Sequence, residues 1–170
     1  MPFTPRYLDS YTFNEQARAI IHAGEGSVLL TVDDIGDDTA TIGYGYTLVR
    51  KDDAGWSVYE HIVADMAAIG IVWTSEHRQN ADNVASALTS GNLNAAHAAV
   101  SALSVALGAI SEANAQELFE REFDRARDFV ESQLTKHLGA VAGPLVFSNL
   151  ALSRELWEGA VTRNGADQCI

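Results

Sequence analysis

Between Glu25 and Tyr46 the chain reads EGSVLLTVDDIGDDTATIGYGY, and its hydrophobic period changes there. On either side, apolar residues recur at helical spacing. Inside, β-branched and aromatic residues alternate with Gly and Asp. Val28–Val32 reads as a short apolar strand, and Asp33–Asp38 as an acidic turn. Thr39–Val49 reads as a second strand and Lys51–Gly55 as another turn, so residues 28–55 make a small sheet. One small sheet set into a run of helices is an α+β arrangement.

The flanking helices carry their own signals. Thr12-Phe13-Asn14-Glu15 is a capping-box pattern that opens a helix over 12–24, with Ala17, Ile20 and Ile21 at helical spacing. Gly24 and Gly26 bracket Glu25, so this helix ends there and leaves Glu25 at its C-terminus. The negative end of the helix dipole disfavours the ionised form of that carboxyl, which suits a general acid. Ser57-Val58-Tyr59-Glu60 predicts a second capped helix over 58–69, and Thr74 or Ser75 opens a third that reaches Thr89. Ser90-Gly91-Asn92 breaks it, and Asn92 caps an Ala-rich helix over 93–107. Ser111 opens 112–134, with Leu118, Phe119, Phe123, Ala126, Phe129, Val130 and Leu134 on one face. Gly139, Gly143 and Pro144 interrupt, and 151–163 makes a last helix before Asn164-Gly165.

A length of 170 residues fits one domain with two lobes, and 47% apolar with 20% charged residues builds a core without metals or disulfides. The lone Cys169 rules out a disulfide framework. A net charge of −12 argues against nucleic acid as a partner, because phosphate contacts need clustered Lys and Arg. No apolar run approaches the roughly 20 residues of a membrane span, and the N-terminus lacks signal-peptide character. No membrane partner is expected, and a monomer is the default. His22, His61, His77, His97 and His137 show no ligand spacing, so no metal site is expected. The acidic run fails the calcium-loop pattern, since Ile35 stands third from Asp33. Gly43-Tyr44-Gly45 has no strand–GxGxxG–helix context, which argues against a nucleotide site there. No G-x-S-x-G elbow is present.

Glu25 and Asp34, joined by a short hairpin, are two carboxylates that can act as acid and base about one bond. Glu25-Gly26, Leu29, Asp34, Thr41-Ile42-Gly43 and Gly45 resemble the pattern of phage-type lysozymes, glycoside hydrolase family 24. Three departures are visible. Val32 stands where a Tyr is usual, one extra residue separates Asp34 from Thr41, and Tyr46 stands where the family has His. The resemblance covers about 22 residues closely. Beyond it, Ser111–Arg127 is similar to the helix that follows in that family, and Leu152 to Asn164-Gly165 more weakly to a later one. The chain stops where relatives usually continue, which implies a domain cut from a longer protein.

The resemblance implies a lysozyme-like domain over 1–170. Its sheet-bearing lobe would span about 12–56 and its helical lobe about 57–170, with a cleft between them. It also implies a muramidase that hydrolyses the β-1,4 bond between N-acetylmuramic acid and N-acetylglucosamine with inversion and no cofactor. Glu25 would protonate the glycosidic oxygen. Asp34, selected by register from Asp33, Asp37 and Asp38, would orient water. The Thr41 hydroxyl would hold that water, or Thr41 is simply a strand residue. Gly43, Tyr44, Tyr46 and Asn164 are the candidate glycan contacts, although a strand Tyr also serves packing. Glycan strands of peptidoglycan are the expected partner, with chitin-type glycans as a related substrate. Made in the cytoplasm without a signal, the protein would reach the wall through holin lesions or a secretion system. It would be a phage endolysin or an antibacterial effector, the latter with an inhibitor or immunity protein as partner. The departures and the −12 charge also fit a catalytically inactive, lysozyme-like glycan-binding or interaction module.

Overall fold

The computed structural model describes residues 15, 16, 18–20, 28–33 and 39–149. Within them the chain is α+β, two small antiparallel sheets followed by helices. Contacts group the chain into two units, Ser27–Arg121 and Met1–Gly26 with Glu122–Ile170. The first grouping crosses the boundary near 56 expected from the sequence, because strands and helices share one core.

In the Ser27–Arg121 unit, β1 (Leu29–Asp33) pairs with β2 (Thr41–Gly43), and β2 with β3 (Tyr46–Thr47). Leu29 lies opposite Gly43 and Asp33 opposite Thr41, so the register slips along β1. The single strand expected over 39–49 is in fact a hairpin. Gly43 and Gly45 both take positive φ, +68° and +77°, and the chain turns at Tyr44-Gly45. A second hairpin joins β4 (Val49–Asp52) to β5 (Gly55–Val58). Its tight turn is closed by the Ala54 amide donating to Asp52 Oδ1 at 2.8 Å. Leu48, fully buried, links the two sheets: its amide donates to Ala40 O and its carbonyl accepts from Tyr59 N.

Ser57 does not cap a helix. It lies in β5 opposite Arg50, and α1 (Ile62–Ala68) starts later, behind His61, with no side-chain cap. The Asp52–Gly55 turn pairs the Gly-Trp-Ser-Val segment with β4, and that ladder outweighs the local capping pattern. The next two starts are as expected. Thr74 Oγ1 accepts from His77 N and opens α2 (Ser75–Thr89). Asn92 Oδ1 accepts from Ala95 N and opens α3 (Leu93–Leu107). His77 completes the first cap, because its Nδ1 accepts from Thr74 N while Nε2 meets Ala106 O at 3.1 Å. The two helices form an antiparallel pair whose inner faces, including Val84, Leu88, Val100 and Leu103, meet Ile42, Leu48, Val49, Ile62 and Met66 in one core.

α4 (Glu112–Asn149) starts at Ser111, whose Oγ accepts from Asn114 N. It continues through Gly139, Gly143 and Pro144, where an interruption was expected. A Gly in a helix costs about 1 kcal/mol and a Pro about 3 kcal/mol, and the helix absorbs both. In the other unit, Glu15, Gln16 and Arg18–Ile20 are helical, and the Arg18 guanidinium lies 4.7 Å from the centre of the Phe123 ring. The last helix expected over 151–163 lies outside the described residues.

Candidate functional site

The β2–β3 hairpin rests on the first turns of α4, and small residues set how closely. A Cβ built on Gly43 would stand 3.4 Å from both Cα and Cβ of Ala115. The absent side chain at 43 therefore makes room for a helix. At the tip, Tyr44 is half-buried and meets Phe119 edge-on at 6.3 Å. Upstream of the helix, Ile110 N donates to Leu30 O, which ties β1 to the same region.

Tyr46 turns inward from β3. It is 1% exposed, and its hydroxyl donates to Asp65 Oδ2 at 2.8 Å. Asp65, on α1, is fully buried, and Arg121 Nη1 approaches its other oxygen at 3.5 Å. Arg121 also reaches outward, donating from Nε to Glu117 at 3.0 Å. A hydroxyl, a buried carboxylate and a half-exposed guanidinium thus connect β3, α1 and α4. A carboxylate so enclosed does not meet a polymer substrate; it can only act on the groups around it. Asp65 lay inside the expected helix 58–69. The signal that could have found it is its spacing with Ile62, Met66 and Ile69, which puts an acid on the apolar face.

Tyr46 also packs edge-on against Tyr59 at 5.9 Å. Over Tyr59 lies the Arg50 guanidinium, 3.4 Å from the ring centre, with its Nε donating to Thr47 O. This stack braces the outer side of the hairpin.

Thr41 is 1% exposed, with its Oγ1 3.3 Å from Thr39 Oγ1, also buried. It sits in the middle strand, opposite Asp33 and Thr47. Of the residues singled out from the sequence, Thr41, Gly43, Tyr44 and Tyr46 therefore gather in one hairpin. Gly43 backs onto a helix and Tyr46 is committed to Asp65. Glu25, Asp34 and Asn164 lie outside the described residues.

Arg121, Arg125 and Arg127 follow one pattern on α4. Arg121 pairs with Glu117, Arg125 with Glu122, and Arg127 with Asp124 and Asp128. A hydrogen bond to Asp128 raises the pKa of Arg127 further, with Asp124 adding to it, so that group stays charged. Among the described residues no group of three or more His, Cys, Asp or Glu could hold a metal ion. No single described helix is both long and apolar enough to cross a membrane. No protein-family model, no curated protein and no solved structure matches the chain.

Proposed function

We propose that the protein is a peptidoglycan hydrolase of the muramidase type, acting on the β-1,4 bond between N-acetylmuramic acid and N-acetylglucosamine. The observation that carries this is the register of Glu25-Gly26, Leu29, Asp34, Thr41-Ile42-Gly43 and Gly45 along the sequence. The paired strands β1 and β2, with Asp33 opposite Thr41, are compatible with it, because Asp34 follows Asp33 directly in the chain. Glu25 acts as general acid on the leaving oxygen. Asp34 stays ionised, orients the attacking water and stabilises the positive charge that develops on the sugar ring. An inverting reaction of this kind requires the two carboxyls to stand about 6.5–9.5 Å apart, leaving room for water.

The test is loss of turbidity of a purified sacculus suspension, with release of reducing ends. The wild type clears it, and Glu25→Gln slows clearance at least about a hundredfold, the scale of general acid catalysis. Equal clearance by both proteins, or by neither, rejects the assignment.

A second reading is a lysozyme-like binding module without catalysis. The burial of Thr41, whose hydroxyl lies against Thr39 and not at a surface, favours it. Co-sedimentation with sacculi and no reducing ends would decide for that reading. The biological setting, endolysin or antibacterial effector, is decided by the neighbouring gene: a holin, or an inhibitor that protects the producer.

A further inference from the structure

We propose that Asp65 is a positioning residue: through the Tyr46 hydroxyl it fixes the β2–β3 hairpin on α4, with Arg121 as its charge partner. Taking a carboxylate out of water is costly, and an apolar pair of the same volume would fill the space more cheaply. What a charged hydrogen bond adds is direction. The hairpin meets α4 at Gly43 on Ala115 and at Tyr44 on Phe119, and both are contacts of shape alone. The Tyr46–Asp65 bond at 2.8 Å is directional, and Arg121 at 3.5 Å links its carboxylate to α4.

The pairing carries that constraint across the sheet. Tyr46 pairs with Ile42, the preceding residue Thr41 pairs with Asp33, and Asp33 ends β1. Asp34 is the next residue in the chain. Asp65 therefore bears on where β1 ends, and it does so through Tyr46 and the strand pairing. Its own helix is anchored too, since Asn114 Nδ2 donates to Ile69 O at 3.3 Å. The kinetic consequence rests on the muramidase reading; the structural consequence does not.

The experiment compares Tyr46→Phe, Asp65→Asn and Arg121→Gln in the full chain, by residue-resolved amide hydrogen exchange and by kcat and KM on soluble glycan strands. Exchange at amides 41–47 should quicken about tenfold in Tyr46→Phe and Asp65→Asn, the scale of one lost buried hydrogen bond, while the α2–α3 pair keeps its protection. Arg121→Gln should act in the same direction and more weakly, because Arg121 is half-exposed. In the kinetic arm, kcat falls and KM stays within about twofold, as for a group that aligns catalysts without touching substrate. Unchanged exchange in the hairpin overturns the proposal, and so does an equal rise across the whole unit, which marks a purely stabilising role. Should Asp65→Asn fail to fold, Tyr46→Phe and Arg121→Gln decide by the same criteria. A wild type that cleaves no glycan defeats the muramidase reading, and the exchange result still decides the role of Asp65.

Discussion

Gly43 carries two demands at one position. Its φ of +68° lies in the left-handed region, and Ala115 stands where a side chain would grow. The two are separable by magnitude. The contact of 3.4 Å is close to ordinary van der Waals distance, whereas a left-handed conformation costs a non-glycine residue about 1–2 kcal/mol. Backbone strain should therefore dominate. Gly43→Ala is expected to lower stability by about 1–2 kcal/mol, read as a shift in the urea midpoint at constant slope. Adding Ala115→Gly should not restore it, because the helix loses about 1 kcal/mol and the strain at 43 persists. A double variant more stable than Gly43→Ala alone would show that crowding, not strain, sets the cost. The same residue shows what the sequence hides. Ile42, Tyr44, Tyr46 and Leu48 alternate as a straight strand would. The turn belongs to the glycines in the opposite phase, whose φ no alternation reveals.

At the level of elements, helix starts were legible where the cap and the helix are both local. Thr74 and Asn92 are such cases, each with a side-chain oxygen on a backbone amide. Thr74→Ala and Asn92→Ala should each cost about 1 kcal/mol, within the usual range for lost N-caps. Ser57 has the same local pattern but stands exposed in β5, so Ser57→Ala should change stability by less than about 0.5 kcal/mol. Thermal melts of the three variants test this, and a Ser57 effect as large as the Thr74 effect would contradict the strand assignment. Ser57 misleads because strand pairing with Arg50 depends on a partner outside the local window. His77 was unreadable for a related reason: it completes the cap of α2 where a Glu or Gln is usual, and its second nitrogen meets α3. Asp65 was hidden because a helical period counts apolar positions and does not ask what an acid on that face would bond to. The candidate hairpin was thus legible as a set of residues. The partner that locks it was not, since Tyr46 and Asp65 meet only through the tertiary fold.

Across the whole molecule, 23 acidic residues face 11 Lys and Arg, and this imbalance governs encounters more than it governs the fold. Arg121, Arg125 and Arg127 of α4 are each paired with acids of the same helix, which locally offsets their charge. A bacterial wall is itself largely anionic, so on the proposed muramidase reading a protein of net charge −12 would approach it against repulsion. Raising salt shortens the range of that repulsion, from about 30 Å near 10 mM to about 8 Å near 150 mM. The rate of sacculus clearance under conditions limited by binding should therefore rise across this interval, where a basic hydrolase would slow. Thermal stability should rise with it, because the same screening relieves repulsion among the protein's own carboxylates. The two measurements separate the effects. A midpoint that rises while clearance falls means that a local cationic surface, and not the net charge, guides the approach to the wall; the Arg50 stack on Tyr59 would then be the first surface to alter.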